Sequence, residues 1–341
     1  MKIGVIGASG YSGGELLRLL VKHPTFTLKY IAAGTQAGSL ITDVHPQLIP
    51  FAGQKFEATE LARMNQCDLL FFALPHGESA KWIPQLNPEI KVVDLGADFR
   101  LASAGSWEKY YGGVHAGTLV YGLPEIPGQR ARIASATRVA NPGCYATSIA
   151  LAAAPALSHG LIEADDIVVV AASGTTGAGK KPSNYLLASE VMGSLSSYKF
   201  GGTHQHTPEI EETLSAVAGT PTKISFTPIL APMPRGILAT VTARLTKELD
   251  TSQVQALYKE FYAGEEFVTV LSGNSLPHTS AVTGSNSVLI QVAVDAHANR
   301  LIISAALDNL GKGAASQAIQ NANIIAGLPE NTALTSIGIG A

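Results

Sequence analysis

The opening stretch, Lys2-Ile-Gly-Val-Ile-Gly-Ala-Ser-Gly-Tyr-Ser-Gly13 running into Gly14-Glu-Leu-Leu-Arg-Leu-Leu-Val-Lys22, constrains the fold more than any other. A short apolar run that stops at a glycine-rich turn and resumes as a leucine-rich segment reads as strand, turn and helix. The glycines at 7, 10 and 13 have the spacing G-x-x-G-x-x-G, one position longer in the first gap than the usual dinucleotide fingerprint. Glycine there lets the backbone approach a pyrophosphate held by the outward-pointing N–H groups of a helix N-terminus. Gly7, Ser9, Gly10, Tyr11, Ser12 and Gly13 are therefore candidate cofactor contacts.

Three further runs continue this pattern. A strand over 27–32 leads into Ala33-Gly-Thr-Gln36, without the Asp or Glu that would hold the ribose 2′-hydroxyl of NAD. An acid at that place would repel a 2′-phosphate, so its absence favours NADP, with Thr35 as a contact. Asp68-Leu-Leu-Phe-Phe-Ala73 and Lys91-Val-Val-Asp94 read as buried parallel strands. The loops after them, which hold Pro75 and Arg100, fall at the carboxyl edge where open α/β sheets bind ligands. After residue 144 the pattern changes. Partly alternating runs at 236–246, 287–296 and 301–307, with a strand at 166–172, indicate a mostly antiparallel sheet. The fold class expected is α/β, a Rossmann-type doubly wound sheet plus a second α+β domain. A small-residue helix after Asp308 is expected to return to the nucleotide half, giving a discontinuous domain of 1–143 with 309–341 and a second domain of 144–308.

The chemistry centres on Cys144. Thr137 to Ala140 reads as a strand, Asn141-Pro-Gly143 as a turn and the alanine-rich 144–157 as a helix, so the thiol stands at a helix N-terminus. Unpaired N–H groups and the positive helix end there favour a thiolate, which makes a nucleophile. A thiolate attacking a carbonyl needs a proton shuttle. His204-Gln-His206 supplies two imidazoles expected to share one side of an extended segment, with Glu209 placed to orient one of them. His206 is favoured as the base and His204 as a substrate or positioning contact. No further Cys or His stands near enough to suggest a metal site, and none is expected. A second glycine-rich loop, Ser173 to Lys180, offers Gly177 and Ala178 to a flat cofactor ring. A dinucleotide, a thiolate and an imidazole together suit hydride transfer to a thioester made from an acyl phosphate. Arg100, Lys180 and Arg235 are the candidate cations for that anionic substrate.

Composition excludes other classes. A net charge of −3 with no basic cluster gives no footprint for nucleic acid or a membrane surface. The two cysteines show no disulfide or zinc spacing, no signal-peptide pattern opens the chain, and no run of about 18 apolar residues occurs, so the expectation is a cytoplasmic protein.

The motifs resemble a family, the N-acetyl-gamma-glutamyl-phosphate reductases of arginine biosynthesis. Gly7-Ala-Ser-Gly-Tyr-Ser-Gly13, Asp43-Val-His-Pro46, Leu74-Pro-His-Gly77, Asp94-Leu-Gly-Ala-Asp-Phe-Arg100, Tyr121-Gly-Leu-Pro-Glu125, Asn141-Pro-Gly-Cys-Tyr-Ala-Thr147, His204-Gln-His-Thr-Pro-Glu209 and Asp308-Asn-Leu310 stand in family order. The resemblance implies Cys144 as acyl carrier, NADP as cofactor, a histidine base in the His-x-His pair and a fold shared with aspartate-semialdehyde dehydrogenases. Asn309 completes the candidate cofactor contacts, and Asn141 and Tyr198 the candidate substrate contacts. The expected reaction is reduction of N-acetyl-gamma-glutamyl phosphate to the semialdehyde with release of phosphate, by a homodimer or homotetramer. Two alternatives stand beside it: the same chemistry on a carrier-linked aminoadipyl or an aspartyl phosphate, and a nucleotide-binding redox sensor without turnover.

Overall fold

In the computed structural model, which describes residues 1–340, β1 (Lys2–Ile6), β2 (Thr27–Ala32), β3 (Leu69–Phe72), β4 (Lys91–Asp94), β5 (Val120–Tyr121) and β6 (Arg138–Ala140) form a parallel sheet. Its order is β2-β1-β3-β4-β6-β5. Successive side chains of these strands point to opposite faces. Ile3, Val5, Leu69, Phe71 and Val93 therefore fill a core on one side with Leu16, Leu17 and Ile319, while Ile6, Leu70, Phe72 and Val92 fill the other with Tyr30 and Phe99. Burial on both faces is why these strands are continuously apolar. The chain runs outward in one direction from β1 to β2 and in the other from β1 to β3. That reversal places the β1 and β3 loops at a topological switch point, the usual ligand crevice of such sheets.

Among the described residues the second sheet has seven strands, in the order β11-β12-β13-β10-β7-β9-β8. They are β7 (Ile162–Ser173), β8 (Ser196–Ser197), β9 (Ile224–Leu230), β10 (Ile237–Leu245), β11 (Val268–Val270), β12 (Val288–Asp295) and β13 (Arg300–Leu307). The pairings β7/β9 and β11/β12 are parallel and the others antiparallel. One face is covered by the helix Cys144–Ser158, whose residues Tyr145 to Leu157 are all buried. A helix buried all round shows little amphipathic pattern, and its alanines let it lie close to β7, β10 and β13. From the next layer Tyr258 and Tyr262 donate hydroxyl hydrogen bonds to the Ala152 and Leu151 carbonyls of that helix.

The compact units are Met1–Pro124, Gly128–Pro142 and Ala314–Leu334 on one hand, and Glu125–Pro127, Gly143–Gly313 and the chain from Thr335 on the other. The boundaries differ from those expected at Glu125–Pro127, at Gly143, over 309–313 and in the tail from Thr335. Asp308 accepts N–H bonds from Gly284, Leu310 and Gly311, which keeps 309–313 in the second unit. The tail is held there too, by Asn286 N–H to the Thr335 carbonyl and Ile339 N–H to the Thr283 carbonyl. Both contacts are between segments distant in sequence, which spacing does not reveal.

Candidate active site

Cys144 is the first residue of its helix and is partly exposed. Gly143 caps the helix in an extended conformation with no side-chain acceptor of its own. Its N–H instead donates to Glu209 Oε1 at 2.7 Å, and Glu209 is buried. This carboxylate thus fixes the turn that presents the thiol, a contact the sequence reading did not anticipate. Gly313 lies against Cys144: a Cβ there would stand 2.8 Å from Cys144 Cβ. No acidic residue occupies the first turn of this helix, whose positive dipole end would favour a thiolate at Cys144.

The two histidines are not on an extended segment, a correction to the expected local structure. His206 opens the helix His206–Ala218, and Gln205 before it already has helical dihedrals. Helix formation here is carried by burial of Ile210 and Leu214, with Pro208 inside the first turn, where it needs no N–H partner. The rings still meet, at 4.9 Å between centroids and edge to face. The His206 N–H donates to His204 Nδ1 at 3.0 Å, so the neutral His204 ring carries its proton on Nε2. His204 is buried among Tyr145, Tyr198 and Phe226, with ring centroids at 5.4, 5.7 and 5.2 Å. Burial, and then the neighbouring His206 and Lys199, push its pKa down to about 2. Such a ring stays neutral at working pH with its proton on Nε2, whereas His206 remains partly exposed. Tyr198 donates to the Tyr145 hydroxyl at 3.1 Å, and burial raises both phenols, so neither ionises.

The remaining candidates of this unit fall into two settings. Arg235 forms a bidentate pair with buried Asp308, Nε–Oδ1 at 3.0 Å and Nη2–Oδ2 at 2.7 Å. Buried Asn309 accepts the Gly236 N–H at 2.7 Å and donates to Thr176 Oγ1 at 3.0 Å. It therefore clamps the second glycine-rich loop at its base, and Gly177, Ala178 and Lys180 stand exposed beyond that clamp. Among the described residues no group of acidic, His and Cys side chains is arranged to hold a metal ion.

In the first unit the glycines of the β1 loop have separate reasons. Gly7 has φ +84° and its missing Cβ leaves room for the Ala73 carbonyl, while a Cβ at Gly13 would stand 2.5 Å from the Gly7 carbonyl oxygen. Gly10 has no such neighbour, the nearest atom being 3.6 Å away. It is the cap of the helix Tyr11–Leu20, with no side-chain acceptor and no acid in the first turn. A cap open on one side, with a positive dipole end, fits an anionic pyrophosphate, which Gly10 and the backbone of Tyr11, Ser12 and Gly13 would hold. Ser9 lies beside them, and Thr35 and Pro75 are exposed in the loops after β2 and β3. The β3 loop is held by Asp98, which accepts the N–H groups of Gly77 and Ala80 at 2.7 and 2.9 Å.

Arg100 is buried instead of projecting from a loop; its Nε donates to the Asn141 carbonyl at 2.8 Å and its Nη2 to the Leu95 carbonyl at 2.7 Å. Asn141 itself is held by Asp94, which accepts its N–H, and by Asn321, whose amide donates to its side-chain oxygen at 3.0 Å. No pattern in the small-residue helix pointed to Asn321.

Residues 2–136 match the NAD binding domain of the semialdehyde dehydrogenases, and residues 144–309 match their dimerisation domain. With its doubly wound sheet and its cysteine at a helix start, the chain is thus an oxidoreductase of the semialdehyde dehydrogenase class. Solved structures agree in fold: aspartate semialdehyde dehydrogenase II from Vibrio cholerae superposes with TM-score 0.71 at 18% identity over 95% of this chain and 98% of that one. The Candida albicans aspartate semialdehyde dehydrogenase with NADP superposes with TM-score 0.68 at 15% identity, covering 94% and 98%. Within the class the chain belongs to the N-acetyl-gamma-glutamyl-phosphate reductase family. It is 54% identical to the reductase of Acidothermus cellulolyticus over 99% of this chain and 98% of that one, and 50% identical to that of Streptomyces coelicolor over 99% of both.

Proposed function

We propose that the chain reduces N-acetyl-gamma-glutamyl phosphate to N-acetyl-glutamate 5-semialdehyde with NADPH, releasing phosphate, through a thioester on Cys144. The observation that carries this is Cys144 at a helix start fixed by buried Glu209, in the same unit as a neutral His204 packed on a partly exposed His206. His206 takes the thiol proton, and the Cys144 sulfur forms a bond to the acyl carbon as the bond to phosphate breaks. A reduced nicotinamide, when bound, would supply the hydride that the thioester carbon takes up. The carbon–sulfur bond then breaks, the aldehyde leaves, and His206 returns the proton to the sulfur. Glu209 keeps the turn in place throughout, while His204 Nε2–H is a donor for a substrate oxygen. Lys180, Arg235 and Tyr198 are assigned to the substrate anion. Gly177, Ala178 and Asn309 are assigned to the nicotinamide end of the cofactor.

NADP is proposed over NAD because the turn after β2 carries Gly34 and exposed Thr35 instead of an acid. A homodimer or homotetramer is proposed from the match to a dimerisation domain and from the part-exposed Val168 and Val170 on the face of β7. Among the described residues no helix is long and apolar enough to cross a membrane; a cytoplasmic location is proposed from the biosynthetic reaction alone. The test is phosphate-dependent oxidation of N-acetyl-glutamate 5-semialdehyde, followed by the absorbance of reduced nicotinamide. Turnover with NADP supports the proposal. No turnover, or faster turnover of aspartate semialdehyde, refutes it.

A further inference from the structure

The second unit buries an ion pair that none of these steps uses. Lys312 and Glu125 are buried completely or nearly so, the ammonium donates to Glu125 Oε1, and it stands 5.8 Å from the centroid of the Phe267 ring. Removing two charges from water costs several kcal/mol for each ion, which mutual attraction offsets only in good geometry, so such a pair is poor evidence of stabilisation and better evidence of a fixed arrangement. What lies on either side of Lys312 shows which arrangement. Gly311 packs on the Ser285 carbonyl with no room for a Cβ. Gly313 donates its N–H to the Asp308 carbonyl five residues back, at 2.9 Å, which makes the turn wider than an α-helical one. A Cβ on Gly313 would stand 2.8 Å from Cys144 Cβ and 3.3 Å from Cys144 Cα. Wide turns of this kind give up regular hydrogen bonding and recur at functional sites.

We propose that the Glu125–Lys312 pair is a positioning device for Cys144. It pins the Gly311–Gly313 turn from inside, and the turn in turn bears on the Cα and Cβ of the nucleophile, fixing the sulfur relative to the N–H groups of its helix. The assignment rests on Cys144 being the nucleophile of the reaction proposed above. A displacement of a few tenths of an ångström weakens thiolate stabilisation and attack together, since misplacement of about 1 Å costs roughly a hundredfold in rate.

The test uses the full-length double variant Glu125→Gln/Lys312→Met, which removes both charges at nearly constant volume and leaves no unpaired ion. Two readouts are taken on the folded protein: the pH profile of Cys144 alkylation by iodoacetamide, and kcat with KM separately. Expected are a KM within about threefold of the parent, a kcat lower by about tenfold, and a midpoint of alkylation moved to higher pH. A lowered melting temperature with the parent's alkylation profile and kcat would mean a purely structural pair and overturn the proposal. Should the double variant fail to fold, Gly313→Ala tests the contact itself, because it presses on Cys144 and leaves the ion pair intact; an unchanged alkylation profile then overturns the proposal. Alkylation needs no substrate, so a parent enzyme that fails to reduce the acyl phosphate refutes the proposed function without deciding this point.

Discussion

Replacing His204 by Asn makes a measurable change in how stability depends on pH. In the folded chain the His204 imidazole has its pKa pushed down to about 2 from an ordinary 6.5, by burial first and by His206 and Lys199 after that. The unfolded chain therefore binds a proton at His204 below pH 6.5 while the folded chain does not, and stability must fall as pH falls through that window. Above 6.5 neither state is protonated there and the residue adds no pH dependence. Each pH unit within the window costs about 1.4 kcal/mol, so lowering the pH to about 5 removes about 2 kcal/mol through this one ring. Asn keeps an oxygen close to the position of Nδ1 and can still accept the His206 N–H, but it does not titrate. Urea unfolding of parent and variant at about pH 8 and about pH 5 isolates the effect, because other buried histidines such as His23, also lowered by burial, are common to both proteins. The parent should lose about 2 kcal/mol more than the variant on acidification. Equal losses would show that His204 takes up its proton in the folded state, and the assignment of a permanently neutral donor would be wrong.

Kinetics should separate the two rings: His206→Asn lowers kcat by a hundredfold or more and removes the acidic limb of the rate profile, as expected for a base worth about 10²–10⁴, while His204→Asn mainly raises KM. Iodoacetamide at neutral pH should label Cys144 and spare Cys67, which is buried with its thiol pushed up to about 11; Cys144→Ser should bind NADP normally and turn over almost nothing, as read by mass spectrometry and assay. In the nucleotide loop, Gly13→Ala should destabilise by about 1–3 kcal/mol because its Cβ meets backbone, whereas Gly10→Ala should keep the melting temperature within a few degrees and weaken NADP binding by calorimetry. Arg100→Ala should lower stability by about 2 kcal/mol or more in denaturant, since it strips a charged donor from the Asn141 and Leu95 carbonyls; a raised KM with unchanged stability would instead make it a substrate contact.

Much of this protein follows from the order of residues alone. The strand, glycine turn and helix at the start, the apolar parallel strands and the Pro-Gly-Cys turn into an alanine helix are all local, because hydrophobic period, turn chemistry and propensity act over a few neighbours. They were enough to indicate a doubly wound half, a cysteine at a helix end and the family motifs. Tertiary structure alone decided what depends on distant partners. The segment at His206 became a helix because Ile210 and Leu214 found a core to bury in, overriding an extended reading of 204–206. Glu209 turned to the Gly143 N–H, Arg100 to main-chain carbonyls, Arg235 to Asp308 and Asn309 to Gly236, because a buried donor or acceptor left unpaired is costly and the nearest partner in space lies tens of residues away in sequence. The depressed pKa of His204 has the same origin: nothing in His204-Gln-His206 announces that Tyr145, Tyr198 and Phe226 will surround one ring and leave the other partly in solvent.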